Sequence, residues 1–185
     1  MGYLNEKGEV TILYHVSENT EEIIRSFNPR IPKSDNRMEG ENDYIPRICV
    51  GTSIEDCLSA MPEGGYKLED KESKRLRVYA FSEEDIPSEN LLKPFDLYFS
   101  SWVLDAWVTG EHWIVDKAVE PQEVFDVEIT DYEIVDAPLV SPEAFKEAFY
   151  KKGNPEEILT ELEDNTNKCV ARVTGLSYNV INQYK

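Results

Sequence analysis

The stretch from residue 47 to residue 61 constrains the fold more than any other part of the sequence. A short apolar run, residues 47–51, ends at Gly51 and is followed by Thr52, Ser53 and then Glu55. Apolar runs of this length are typical of buried strands. A hydroxyl residue followed three positions later by Glu is a capping box, the usual start of a helix. The stretch therefore predicts a strand, a turn of small residues and a helix over Ser53–Met61.

Further strands are predicted by apolar runs and by alternation along the chain. Residues 10–16 are apolar or β-branched at nearly every position, which is typical of a strand buried on both faces. Arg75–Phe81 alternates charged and apolar residues as a half-buried strand does, and Val124–Val135 does the same with one solvated face. The remaining candidates are Leu97–Phe99, Trp102–Val108, His112–Val115, Cys169–Val173 and Tyr178–Tyr184.

Three more helices are predicted from capping signals. Asn19 precedes residues 20–27, and Glu22 completes a capping box there. The other two predicted helices each begin with a proline at the first helical position. They cover Pro142–Lys152, with Gly153 as the C-terminal cap, and residues 155–163. Residues 28–46 lack periodicity and are predicted to form a long loop, which in a compact domain is usually functional or disordered.

These elements indicate an α+β fold in a chain of 185 residues, of which 41% are hydrophobic. This length is sufficient for one domain with a substantial core. We expect residues 1–137 to form that domain, and residues 138–185 to add C-terminal helices and a strand that pack on it.

The charge distribution excludes several classes of function. The net charge is −18, and residues 101–150 hold 2 Lys or Arg against 12 Asp or Glu. Such a surface repels the phosphate backbone, so direct nucleic-acid binding is disfavoured whereas a basic protein partner is not. The acidic stretch is either functional or only solubilising. The cations of the first fifty residues cluster at Arg25, Arg30, Lys33, Arg37 and Arg47.

Cysteine usage and hydropathy point to the cytoplasm. Three cysteines without any CxxC spacing do not form a disulfide framework or a zinc site. No leader pattern and no long apolar segment is evident in the sequence, so we expect neither secretion nor membrane insertion.

Several common catalytic constellations are missing from the sequence. The two histidines, His15 and His112, lie on separate predicted strands without the carboxylate spacing of a metal site, so no metal is expected. Neither the GxSxG motif of serine hydrolases nor the GxxxxGK[ST] motif of a phosphate-binding loop occurs.

The order of three other segments resembles the ADP-ribosyltransferase-like superfamily, in particular its small phage and bacterial members. These segments are a first strand carrying a histidine (residues 13–17), a strand leading through Gly51-Thr52-Ser53 into a helix (46–53), and an acidic residue after a glycine on a later strand (110–124). The resemblance spans residues 10–135. It implies a split mixed β-sheet core with peripheral helices and NAD as the substrate.

The resemblance also implies roles for individual residues. Glu111 would be the catalytic acid, since a carboxylate stabilises positive charge that develops on the ribose during cleavage of the nicotinamide bond. Asp105 and Asp116 flank Glu111 on the same segment and are alternatives for that role. The NAD-binding residues would be His15, Ser17, Arg47, Thr52 and Ser53.

Structural roles for the same residues remain open. His15 could be a core residue, Thr52 and Ser53 could serve only as helix caps, and Arg47 could pair with Glu39 or Glu41. The three tryptophans are expected in the core, with stacking on a base as the alternative.

Two functions are consistent with this sequence. The first is an NAD-dependent ADP-ribosyltransferase-like enzyme acting on a macromolecule in the cytoplasm, or in the host cytoplasm if it is encoded by a phage. The second is an acidic, catalytically inactive binding protein or inhibitor, of the nucleic-acid-mimic or anti-defence type, that occupies a basic nucleic-acid-binding surface of another protein. The second gains weight because the middle segment has no aromatic platform and no Glu-x-Glu pair.

Overall fold

The computed structural model describes residues 11–69, 74–152 and 154–184. Within these ranges the chain forms seven strands and five α-helices, so the predicted α+β class is confirmed. The strands are β1 Ile12–Ser17, β2 Ile48–Val50, β3 Arg75–Ser82, β4 Leu91–Leu92, β5 His112–Ile114, β6 Glu123–Pro138 and β7 Cys169–Tyr184. The helices are α1 Ile54–Ser59, α2 Pro94–Phe99, α3 Ala106–Thr109, α4 Pro142–Lys152 and α5 Pro155–Asn165.

The strands form two sheets, one of four strands in the order β1-β3-β6-β7 and one of three in the order β2-β5-β4. All of these strand pairs are antiparallel, so the prediction of a sheet that mixes parallel and antiparallel strands is wrong. The strands are nevertheless divided between two sheets, as a split core requires. An isolated antiparallel bridge between Tyr14 and Gly51 joins β1 to β2. The two sheets therefore meet where β1 passes the end of β2.

The core lies on both faces of the larger sheet. Tyr79 and Phe81 of β3 belong to one buried cluster, and Leu76 and Val78, at the alternate positions, belong to another. Because successive side chains of a strand point to opposite faces, β3 is covered on both sides. None of the helices in the described ranges is long and apolar enough to cross a membrane.

The predicted strand, turn and helix at residues 47–61 are confirmed as β2 and α1. The helix begins one residue later than expected, with Ser53 as its N-cap, and the Ser53 Oγ accepts a hydrogen bond from the Asp56 N–H (3.0 Å). The 28–46 loop is also confirmed, with one short 3-10 turn at Ser34–Asn36.

The helix predicted at residues 20–27 is wrong. The backbone carbonyls of Thr20 and Glu22 accept hydrogen bonds from the Arg77 guanidinium, at 2.7 and 2.8 Å. The Ile24 N–H donates to the Tyr79 hydroxyl (3.2 Å). Backbone groups that a helix would have paired internally are thus satisfied by side chains of β3, which a local capping pattern cannot anticipate.

Two predicted strands are also wrong. Leu97–Phe99 belongs to helix α2, and Trp102–Val108 forms turns and the short helix α3. Pro94 occupies the first helical position of α2, and the Asp96 carboxylate accepts the Lys93 N–H (3.1 Å). These start signals outweigh the strand propensity of the aromatic residues that follow.

The solvated faces predicted for β3 and β6 are partly buried. Arg77 and Asp126 are both buried and form an ion pair, with Arg77 Nε donating to Asp126 Oδ1 (2.7 Å). A sequence alternation marks charged positions as exposed, but here two opposite charges on paired strands neutralise each other inside the protein.

The C-terminal elements follow the sequence prediction closely. Helices α4 and α5 are present, and the two strands predicted at Cys169–Val173 and Tyr178–Tyr184 are parts of one strand, β7, which pairs with β6 from Cys169 to Tyr184 with three register shifts. The predicted cap at Gly153 lies outside the described residues.

Candidate functional site

Three segments that are far apart in the sequence lie side by side in the structure. The Tyr14 N–H donates to the Gly51 carbonyl (2.8 Å), and the Gly51 N–H returns a bond to the Tyr14 carbonyl (2.9 Å). On its other edge β2 pairs with β5, with Val50 opposite His112. Strand β1, the turn after β2 and the start of β5 therefore form one continuous surface.

Glu111 immediately precedes β5 and is buried. Its Oε1 accepts a hydrogen bond from the Trp113 indole N–H (2.7 Å). Burial, aided by the negative charge of Glu41, raises the pKa of Glu111 to about 8. The side chain is therefore mostly a neutral acid at pH 7.

Arg47 precedes β2 and is also buried. Its guanidinium lies over the Trp113 ring, 4.0 Å from the ring centroid, and pairs with the Glu41 carboxylate. Its Nη1 donates to the carbonyl of Ile45 (3.0 Å). Of the two roles predicted for Arg47, the structure provides the pairing with Glu41.

His15 lies in β1 beside two aromatic rings. The centroid of its ring is 5.1 Å from that of Phe27 and 6.1 Å from that of Tyr79. Its Nδ1 donates to the Cys49 carbonyl (2.8 Å), and burial lowers the pKa of the imidazole. The ring is therefore neutral at pH 7 with its proton on Nδ1, which leaves Nε2 as a hydrogen-bond acceptor.

Cys49 connects the histidine with the acid. Its carbonyl binds His15, and its buried thiol lies close to the Glu111 carboxyl. Burial also raises the pKa of the Cys49 thiol, so this cysteine is a neutral spacer rather than a nucleophile.

The hydroxyl residues of the predicted site have local partners. Thr52 Oγ1 donates to Asp56 Oδ2 (2.8 Å), and Ser53 caps α1 through the Asp56 N–H. Ser17 Oγ accepts the Asn19 N–H (3.1 Å) in a turn after β1. Ser53 is therefore the helix cap that the alternative prediction describes, whereas Thr52 binds the Asp56 side chain and Ser17 stabilises a turn.

Asp56 is a residue that the sequence analysis missed. A Cβ placed on Gly51 would lie 2.8 Å from the Asp56 Cβ, and one placed on Gly110 would lie 2.7 Å from its Cγ. Gly110 also has a positive φ of 74°. The two glycines therefore allow Asp56 to lie between β2 and the residue before Glu111.

Glu41 and Asp105 complete a buried acidic cluster around Glu111. Burial raises the pKa of Asp105 to about 6, and its Oδ2 has no hydrogen-bond partner among the described residues. Asp116, the other alternative acid, is exposed beyond the end of β5. The sequence feature that could have pointed to Glu41 as a member of this cluster is its position in a proline-bounded polar loop, six residues before Arg47.

A cleft of about 740 Å³ lies next to this cluster. It is lined by the 34–44 loop and by residues 100–102, and both Glu41 and Trp102 contribute to its wall. The Trp102 ring stacks parallel to that of Trp113 at a centroid distance of 6.4 Å. The wall of the cleft is thus in direct contact with the buried cluster.

The three tryptophans occupy different environments. Trp113 is fully buried, Trp102 is half-buried at the cleft, and Trp107 is exposed on α3. The expected core position thus holds for Trp113 and is wrong for Trp107.

Comparison with protein-family models, curated proteins and solved structures finds no match to this chain. In the described part of the chain no group of three or more His, Cys, Asp or Glu residues is arranged to hold a metal ion.

The site offers a neutral histidine, a protonated carboxylic acid and two exposed or half-exposed hydroxyls. This set of hydrogen-bond donors and acceptors is suited to sugar hydroxyls.

Proposed function

We propose that this chain is an ADP-ribosyltransferase-like protein that binds NAD beside β1, β2 and β5 and modifies a macromolecular target. The observation that carries the proposal is the adjacency of these three strands. The sequence resemblance assigns one functional segment to each of them, and they are joined by the Tyr14–Gly51 bridge and by the pairing of Val50 with His112.

In this proposal each residue has a separate task. The Nε2 of His15 accepts a hydrogen bond from a ribose hydroxyl, while its Nδ1–H is held by Cys49. Thr52 Oγ1, which donates to Asp56, retains a lone pair that accepts a hydrogen bond from a ribose hydroxyl, and Ser53 Oγ, which accepts the Asp56 N–H, retains its own proton to donate. Glu111, once ionised, places negative charge where positive charge develops on the sugar.

NAD binding is tested by thermal unfolding with and without millimolar NAD. A ligand that binds only the native state raises the melting temperature by mass action. We expect this rise for the wild-type protein and its loss in His15→Ala. The matched control is Glu120→Gln, an exposed acid beyond β5, which should respond as the wild type does. The absence of any shift in the wild type would refute NAD binding.

Catalysis is tested separately, by transfer of a labelled ADP-ribose group from NAD to protein. We expect Glu111→Gln to keep the NAD-induced thermal shift and to lose transfer, since glutamine has nearly the shape of the neutral acid but cannot ionise during the reaction. Transfer that continues unchanged in Glu111→Gln would assign the acid elsewhere, with Asp105 as the next candidate.

The second candidate function is an acidic protein that binds a basic protein surface. The specific observation in its favour is that four carboxylate residues of β6, Glu123, Asp131, Glu133 and Asp136, are exposed. Binding through these carboxylates should be fast and strongly dependent on salt. A partner retained equally by the protein and by a variant with these four residues changed to Gln or Asn would argue against it.

A further inference from the structure

Among the strands of the described residues, β7 forms one edge of the four-stranded sheet and pairs with β6 alone. The outer edge of its first half is protected by α1. The Val173 N–H donates to Ser59 Oγ (2.9 Å), and the Leu176 N–H donates to Glu55 Oε1 (2.8 Å). These two side chains satisfy backbone groups that would otherwise be open to another strand.

The second half of β7, residues 177–183, lacks this protection. Among the described residues, none outside β6 makes a backbone hydrogen bond to this stretch. Every residue from 177 to 183 is exposed. We refer to residues 177–183 as the open edge.

The open edge continues an apolar face of the sheet. Tyr178 is paired with Ile129, and Val180 is paired with Val127. Directly opposite residues of an antiparallel pair point to the same face. Ile129 and Val127 are buried, whereas Tyr178 and Val180 are 42% and 49% exposed. The buried face of the sheet therefore extends outward onto a strand that nothing in the described structure covers.

The absence of charge on the open edge favours a second copy of this chain as its partner. Residues 173–184 include no charged side chain, although the whole chain has a net charge of −18. Natural edge strands are usually protected by charges, prolines or bulges against pairing. Two such acidic chains repel each other over most of their surface, so the neutral edge is where two copies can approach closely.

We propose that two copies of this chain pair through their open edges, antiparallel and around a two-fold axis at Asn179. This register places Tyr178 opposite the partner subunit's Val180, and the symmetry repeats that contact. An aromatic residue opposite a β-branched residue is a favourable cross-strand pair. The dimer contains one continuous eight-stranded sheet, and its interface is isologous, as in most homodimers.

The test is the mass of the full chain in solution, by light scattering over a wide range of protein concentration. We expect a species of twice 21.3 kDa at high concentration. Val180→Lys should be monomeric at every concentration, because it places a positive charge in the open edge of each copy. Val135→Lys is the matched control, because Val135 is 46% exposed on β6 away from the open edge, and this variant should still dimerise.

Each other result overturns the proposal. A wild-type protein that is monomeric at every concentration refutes the dimer. A folded Val180→Lys that remains dimeric, or a Val135→Lys that becomes monomeric, refutes this interface. If circular dichroism shows that Val180→Lys is unfolded, amide hydrogen exchange of the wild type tests the dimer instead. The amides of the open edge should gain protection as concentration rises, and protection independent of concentration rejects the pairing.

Discussion

The Trp113 indole donates a hydrogen bond to the Glu111 carboxyl at 2.7 Å, inside a protein interior that also contains Glu41 and Asp105. Trp113 stabilises the acid on one side, and its ring face binds the Arg47 guanidinium. One indole thus connects the acid of β5 with the cation that precedes β2.

Stability should fall as pH rises toward 8, and Glu111 should be a main cause. Burial raises the pKa of Glu111 from 4.5 to about 8, so its contribution is complete below 4.5 and is lost as pH passes through 8. A difference of one pKa unit between the two states corresponds to about 1.4 kcal/mol. Glu111→Gln should flatten this decline, as measured by urea unfolding at a series of pH values. An unchanged slope in Glu111→Gln would show that the acid is not buried as a neutral group.

Breaking the buried Arg77–Asp126 pair should strongly destabilise the protein. Arg77→Ala leaves Asp126 without its cation and frees the Thr20 and Glu22 carbonyls, so we expect a loss of about 3–5 kcal/mol in urea unfolding. The control is Arg75→Ala on the same strand, where an exposed pair with Glu128 contributes at most about 1 kcal/mol. Equal losses for the two variants would contradict the buried pair.

Gly110 should tolerate a side chain less well than Gly175. Both residues have positive φ, 74° and 61°, which costs a residue with a Cβ about 1–2 kcal/mol. A Cβ on Gly175 meets open space, whereas one on Gly110 meets Asp56 at 2.7 Å. Gly110→Ala should therefore lose more stability than Gly175→Ala in the same unfolding assay. The reverse order would show that Asp56 does not pack against this turn.

Both histidines should titrate below 6.5. Burial is the largest cause of the lowered pKa at His15 and at His112, so the neutral form is favoured in the native state. Because the unfolded chain takes up the proton first, each histidine reduces the free energy of unfolding as pH falls below 6.5. Proton NMR measures both values, and His112→Gln assigns the remaining resonance to His15. A His15 pKa of 6.5 or above would contradict a neutral ring held by burial.

The sequence predicted the elements whose signals are local. The strand, turn and helix of residues 47–61 needed only an apolar run and a cap, and α4 and α5 needed only proline at their first positions. The alternation of Val127 and Ile129 likewise placed the buried face of β6 correctly.

The errors occurred where distant side chains replace local bonds. Residues 20–27 have the composition of a capped helix, yet Arg77 and Tyr79 bind their backbone groups and the segment forms bends instead of a helix. The burial of Arg77 depends on Asp126, 49 residues further along the chain. Neither sequence segment contains information about the other when it is read alone.

By itself, the sequence determined the α+β class and the acidic composition, because composition, periodicity and capping are properties of contiguous residues. Tertiary structure alone decided that Glu111 is a neutral buried acid and that Arg47 pairs with Glu41. It also decided that β7 ends as an open edge. These properties depend on burial and on charges brought together from distant strands, and both arise only when the chain folds.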